Sequence, residues 1–549
     1  MTRQGTRRAT CFDRAHRCGE AVPGRAQCGY MTSPADRQRP SELPPPEADD
    51  AHQLQHAGHT HAVARKPAPA EPARPATPSR RGAKPAGHDT LAPPALVAFM
   101  LKGWRAPSGK LPPKLRDHAA FHARRRALSK LYPGETLVIP TGHEKVRAND
   151  THYRFRAGTD FFYLTGNQEP DCVLVMVPTK SGHRDVLYVE PNPGRSDPTF
   201  FTDRVKGELW VGPRLGVETS RERYQVDTCR PLPELAKELG KVRGPYRVLR
   251  DVSPAVDKAL PRQAKRDAEL ATALSELRLI KDDVELRELQ AVVGSTFRGF
   301  DDVIRAMKGA KSEREIEGVF NLRARVEGND VGYGTIAAAG EHACTLHWTR
   351  NDGSLKKGDL LLLDAGIEGN SLYTADITRT LPLSGKFSRE QRAIYELVLA
   401  AQKVALAAVV PGNDFLEPNR AAMRVLAEGL CKLGILKTTA EHALREDQQL
   451  YKRYTLHNVS HMLGLDVHDC AKARQEAYKH GALKPGMVLT IEPGLYFQTD
   501  DLTVPAKYRG IGVRIEDDVV VTKKGYRNLS ADIPTEVDDV EAWIARLWT

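Results

Sequence analysis

The chain has 549 residues, 40% of them apolar and 6% aromatic, with a formal net charge of +11. That length allows two sizeable cores plus extensions, while no run approaches ~18 consecutive apolar residues and no apolar stretch follows the Arg-peppered first thirty, which disfavours a membrane-spanning or signal-bearing secreted protein. The charge is not a nucleic-acid signature, because residues 1–130 hold 23 basic and 10 acidic side chains whereas the remainder holds 58 and 60, leaving a nearly neutral body.

From about Thr32 to Pro94 the chain is built of Pro, Ala, Arg, His and Asp. Such a composition buries too little apolar surface to offset chain entropy, so residues 1–95 are expected to form a disordered, basic, Pro-rich extension. Met31 is a second plausible start, and His56, His59 and His61 read as a solvated polar run rather than a metal site. The basic tail could also tether the chain to an acidic partner or membrane surface. Eight cysteines, at 11, 18, 28, 172, 229, 344, 431 and 470, form neither a disulfide framework nor a CxxC pair. A reducing cytoplasm is the expected location.

Periodic sequence begins near Leu111. Phe121 to Leu131 reads as a basic helix whose Arg124-Arg125-Arg126 run is expected to be a solvated face, with phosphate contact as the alternative. ETLVIPTG, DFFYLTG, DCVLVMVP, DVLYVEP and YRVLRD read as strands, with ELAKELGK as a helix. This alternation predicts an α/β domain to about Val256, and a charged helix over about Arg262 to Leu279 leads onward. From Asp282, with Asp282 or Asp283 placed to cap it, a long amphipathic helix carries Val284, Leu286, Leu289, Val292 and Val293 at near-helical spacing. A second helix, SEREIEGVFNLRARVEG, precedes four further strand runs: DLLLLDAG, LYTADITRTLPL, GMVLTIEPGLY and GIGVRIEDDVVVT.

Those four runs carry the chemistry. Acids inside apolar strands are costly unless paired or metal-bound, yet Asp364 ends LLLLD, Asp376 begins DITRTLPL, Glu492 ends VLTIE, and Glu516 follows Val513-Arg514-Ile515. The segment LHNVSHMLGLDVHD adds His457, His461 and His468; Gly464 and the β-branched residues favour an irregular or strand-like setting over a helix. Four carboxylates and one imidazole form an oxygen-rich donor set suited to Mn(II) or a similar divalent ion rather than structural zinc, and that much negative charge calls for two cations.

In order and local context, Asp364 in DAG, Asp376 in ADITRT, His461 in SHMLGLDVHD, Glu492 in EPGLY and Glu516 in RIEDD resemble the five metal ligands of the pita-bread metallopeptidases. Within peptidase family M24B the match is to the Xaa-Pro aminopeptidases, also called aminopeptidase P. The stretch DTHYRFRAGTDFFYLTGNQEPDCVLV resembles their non-catalytic N-terminal domain, which methionine aminopeptidases do not have. The resemblance spans roughly residues 115–535 and implies an α/β N-terminal domain over 96–280 followed by an α+β pita-bread catalytic domain over 281–549. One departure is visible: Asp364 and Asp376 are twelve positions apart, one more than is common in the family, which an extra residue in the IEGNSLYTA turn would absorb.

The resemblance further implies a division of labour. Asp376 and Glu516 would bridge two ions, Asp364 would bind one, and His461 with Glu492 the other. A metal-bridging hydroxide would attack the bond before proline, with Glu492 taking its proton and passing it toward the proline nitrogen. His347 in TLHWT and His468 would donate hydrogen bonds to the substrate and oxyanion, and His457 would wall the proline pocket, the alternative for each being a structural histidine. Arg514 would orient ligands, a role that overlaps with a plain salt bridge, and Tyr496 would assist or simply pack. The implied function is removal of the first residue from peptides with proline second, by a homo-oligomer, dimer or tetramer, with no nucleic-acid or membrane partner. Prolidase is the nearest alternative, a non-catalytic pita-bread binding protein a more distant one, and a metal-free creatinase-like amidinohydrolase does not fit the five ligands.

Overall fold

The computed structural model describes residues 93–105, 111–149 and 151–549. The expectations for the Pro-rich extension, its three histidines, Met31 and Cys11, Cys18 and Cys28 concern residues outside that set, except at the extension's end, where Pro94 and Ala95 open a short helix, Pro94–Met100, rather than continuing a disordered run.

The first domain is built on a five-stranded mixed sheet ordered Thr228–Pro231, Gly182–Val189, Val173–Thr179, Thr136–Pro140, Tyr246–Val248. Its strands are apolar on both faces, and each face has its own cover. Val138, Val173, Val175, Val186 and Val248 pack against Leu235, Leu239, Val256 and Leu260. The alternate residues Leu137, Ile139, Leu174, Met176 and Leu187 pack against Leu128, Phe161, Leu270 and Leu274. A sheet buried on both sides reads as continuous apolar runs rather than alternation.

Two expectations here are corrected. DFFYLTG is a helix, Thr159–Thr165, not a strand. Phe161, Phe162, Tyr163 and Leu164 are all buried, so the helix has no polar stripe to reveal its period. Its end is set by Gly166, at φ +67°, where a Cβ would lie 2.4 Å from Leu115 and 2.6 Å from Phe121. The second correction concerns the arginine run, which is not a solvated face. Arg125 is fully buried and donates to Asp185 at 2.6 Å, Arg124 is buried and donates to Asp282 at 2.8 Å, and Arg126 also pairs with Asp185. The geometry spends these charges on internal ion pairs and leaves Arg124 and Arg125 unable to reach a phosphate.

The second domain is α+β. Its long first helix, Asp283–Met307, starts in a capping box: Asp282 accepts from Val284 N and Glu285 N while Glu285 accepts from Asp282 N. This helix, Glu313–Glu327, Arg389–Ala407, Glu417–Lys432 and Val537–Trp548 bury one shared core over antiparallel strands. One sheet is ordered Ile377–Pro382, Leu360–Ala365, Ile336–Ala339. A second comprises Val488–Ile491, Asp517–Val521 and Tyr526–Asn528, and the pair Gly494–Tyr496 with Gly512–Arg514 extends its hairpin beyond a break. A buried ion-pair network sits where the domains meet: Arg278 donates to Asp469 across the boundary at 3.0 Å, Lys281 donates to the same carboxylate at 3.2 Å, and Arg278 also pairs with Asp160. Among the described helices none is long and apolar enough to cross a membrane.

Candidate metal centre

Strand register brings the two aspartates together. Asp364 lies directly opposite Thr378 in the hairpin, and Asp376 is two residues before Thr378, so both carboxylates leave the sheet on one face. The long turn absorbs the spacing, with Leu372 at φ +60° and an isolated bridge between Glu368 and Thr374. The Tyr333 hydroxyl contacts both acids, 2.7 Å from Asp364 Oδ1 and 2.5 Å from Asp376 Oδ1.

The glutamates arise where the second hairpin breaks. Ile491 pairs with Asp517 and Gly494 with Arg514, so Glu492 and Glu516 occupy the unpaired step between them. Glu516 N donates to Thr378 O at 3.1 Å and Thr378 Oγ1 donates to Glu516 Oε2 at 2.6 Å, which docks this step against the aspartate hairpin. The His457–His461 segment is irregular, as expected, and runs beside the same strand: Thr490 N donates to His461 O and Glu492 N to Val459 O. His461 Nε2 thereby reaches 3.3 Å from Asp376 Oδ2 and 3.6 Å from Glu492 Oε1. His468 returns to pack edge-on against His461, with ring centroids 4.4 Å apart.

Asp364, Asp376, His461, Glu492, Glu516, His347, His457, His468 and Arg514 thus all line one cavity of about 480 Å³. Tyr496 stands behind this wall. It accepts from Arg514 Nη1 at 2.9 Å and lies 2.8 Å from His457 Nε2. Because His457 Nδ1 faces the Asn458 carbonyl at 2.9 Å, which can only accept, Nδ1 carries the proton and Nε2 accepts from Tyr496. The arginine's other arms donate to Asp364 Oδ2 at 2.5 Å and Thr378 Oγ1 at 3.2 Å.

Burial sets the electrostatics. It raises the pKa of Asp364, pushes Glu492 up to about 7 and holds Glu516 well above the usual carboxylate range, where the nearby Asp376 charge adds to the effect. Burial also lowers His457 to about 4, with Arg514 contributing. For His461 burial acts downward too, but its hydrogen bond to Asp376 and the charge of Glu492 prevail and lift it to about 9. The cluster therefore gathers four acids around only two cationic groups, Arg514 and His461, and the raised carboxyls show that their ionised forms lack sufficient positive charge there. Asp376, His461 and Glu516 offer ligand atoms all within 4.8 Å of one another. Carboxylate oxygens with one imidazole, short of positive charge, fit divalent cations.

Sequence reasoning passed over three contributors. Tyr333, in the Gly-rich VGYGT, carries no charge to betray it. Thr378 sits two residues from Asp376 on the same face, a signal that period-two reading could have used. Asp518 holds Asp376 from behind, accepting from its backbone N at 3.0 Å.

Comparison with known proteins gives a consistent picture. Residues 285–523 match the profile of metallopeptidase family M24, and residues 121–248 match that of the aminopeptidase P N-terminal domain. The chain is 50% identical over 492 residues to Xaa-Pro aminopeptidase 1 of Streptomyces coelicolor, covering 87% of this chain and 98% of that protein. It is 34% identical to the Xaa-Pro aminopeptidase of Escherichia coli, covering 77% and 96% respectively. Among solved structures, aminopeptidase P from E. coli with the inhibitor Pro-Leu superposes with a TM-score of 0.71 at 32% identity, covering 79% of this chain and 99% of that one.

Proposed function

Since the chain belongs to metallopeptidase family M24, among its Xaa-Pro aminopeptidases, with an α/β N-terminal domain followed by a pita-bread catalytic domain, we propose that it hydrolyses the N-terminal Xaa-Pro bond of peptides. The observation that carries this reading is the convergence of four carboxylates and four histidines on a single cavity.

In this reading Asp364, Asp376, His461, Glu492 and Glu516 hold two divalent ions, Mn(II) being the best match to an oxygen-rich set. When bound, such ions acidify water and polarise the scissile carbonyl. Every other task falls to this chain's side chains. Glu492, on the cavity wall beside His461, takes up a proton and hands it to the departing proline nitrogen, which must gain one to leave. His347 and His468 donate to the substrate and to the developing oxyanion. His457, kept neutral, walls the proline site and is held in one tautomer by Tyr496. Arg514 fixes Asp364 and Tyr496 relative to each other.

The bond before proline lacks an N–H, so a site that recognises the ring and the free first residue is required rather than one that reads an extended chain. We further assign residues 1–95 to an extension, 96–280 to the N-terminal domain and 281–549 to catalysis. We assign it to a reducing cytoplasm, a reading supported by Cys172, Cys229, Cys344, Cys431 and Cys470 being free among the described residues, and expect it to work as a homo-dimer or tetramer. Hydrolysis of Xaa-Pro compared with Xaa-Pro-Yaa tests the assignment. Cleavage of the tripeptide supports an aminopeptidase, cleavage of the dipeptide alone indicates a prolidase, and cleavage of neither with metal bound indicates a binding protein.

A further inference from the structure

Glu313 stands apart from the metal-binding acids, in the first turn of Glu313–Glu327, and is fully buried. Its carboxylate accepts four hydrogen bonds. Oε1 receives Ala339 N and His342 Nδ1, both at 2.8 Å, and Oε2 receives Trp348 Nε1 at 2.8 Å and Gly353 N at 2.7 Å. All four donors belong to one segment, Ala339 to Gly353, which joins two strands of the aspartate sheet and supplies Leu346, His347 and Thr349 to the cavity wall.

The packing around the carboxylate leaves little freedom. His342 and Trp348 stack with ring centroids 3.9 Å apart. A Cβ on Gly353 would meet His342 at 2.6 Å and the Glu313 carboxyl carbon at 2.8 Å. Asn351 secures the far end, accepting from Ala337 N at 3.0 Å and donating to Thr335 O at 2.9 Å. A buried charge persists only when its hydrogen-bonding capacity is filled, and here it is filled by the loop bearing His347, whose next residue is tied directly.

We propose that Glu313 is the positioning residue for His347: it fixes the cavity-wall loop and through it the histidine that contacts substrate. This rests on the role given to His347 above. The Glu313→Gln side chain has the same shape but turns an amide NH2 toward two of the four donors, so the loop loses its hold on one side.

The test is a double-mutant cycle on Xaa-Pro-Yaa hydrolysis combined with hydrogen exchange. Glu313→Gln should lower kcat/KM about tenfold in the wild type but less than about twofold in a His347→Ala background. Metal stoichiometry should not change, and amide exchange should accelerate in 340–353 but not in the Asp364–Asp376 hairpin. Trp348→Phe, which deletes one donor, should show a smaller loss with the same non-additivity, and serves if Glu313→Gln fails to fold. Equal losses in both backgrounds, or no loss in the wild type, would overturn the proposal. If the wild type cleaves no Xaa-Pro peptide, the functional reading fails independently. Exchange then judges the clamp alone: faster exchange confined to 340–353 supports it and unchanged exchange refutes it.

Discussion

Arg514 Nη2 donates to Asp364 Oδ2 at 2.5 Å, joining strands from the two catalytic sheets across 150 residues of sequence. The same guanidinium reaches Tyr496 and Thr378, a three-way fork that an ammonium cannot reproduce. Arg514→Ala should destabilise the metal-free protein by about 3 kcal/mol, because it strands a buried carboxylate, and Arg514→Lys should fall between it and the wild type. Urea unfolding in the presence of chelator measures this; an unchanged midpoint for Arg514→Ala would contradict it.

Tyr496 supplies the hydrogen bond that fixes His457 in one tautomer. Tyr496→Phe removes that donor and the acceptor for Arg514 while keeping the ring, so kcat/KM should drop by about tenfold, roughly one hydrogen bond's worth. Metal content, measured by elemental analysis, should stay at the wild-type value. Loss of metal in this variant would show that Tyr496 serves the ligands and not the histidine.

Asp469 links the domains beside His468. Burial alone would raise its pKa, but the charges of Lys281 and Arg278 outweigh it and hold the group at about 2. A carboxyl depressed from an unfolded value near ~3.9 contributes stability that is present above that value and lost as pH falls through the folded one. Unfolding free energy should therefore drop by about 2 kcal/mol between pH 4 and pH 2. Asp469→Asn should lack this component and be less stable by about 3 kcal/mol at neutral pH, where it leaves Lys281 buried without its counter-charge. Denaturation curves at several pH values decide the matter.

Metal removal has a proton signature. In metal-free protein His461 is held up to about 9, so it is protonated at pH 7.5, and its contribution to stability is full below about 6.5 and lost as pH rises through 9. A metal needs the neutral imidazole. Mn(II) titration of stripped protein at pH 7.5, run in buffers of different ionisation enthalpy, should show proton release, from His461 and from the carboxyls that burial holds up, and metal should raise the melting temperature. Uptake with no proton released would contradict a site whose imidazole and buried carboxyls must shed protons to bind the ion.

The sequence makes the site's acids legible because burying a carboxylate in an apolar strand is expensive: Asp364 after four leucines has few structural explanations. It makes the sheet strands legible for the same reason, through unbroken apolar runs. Hidden features are those whose signal needs a third dimension. Thr159–Thr165 buries every face and so shows no period. Arg125 looks like surface until Asp185, sixty residues away, is seen to pair with it. Tyr333 and Glu313 resemble ordinary loop and helix residues, and only the fold reveals that one touches both aspartates and the other gathers four donors. The twelve-residue spacing of the aspartates was readable as a turn insertion, and the register of Asp364 with Thr378 shows why the face is kept.

The most direct measurement is release of the first residue from an Xaa-Pro-Yaa peptide by metal-stripped protein, with and without added Mn(II), beside an Asp376→Ala variant. Release should require both the added ion and Asp376. Release without metal, or undiminished by loss of Asp376, would contradict this requirement.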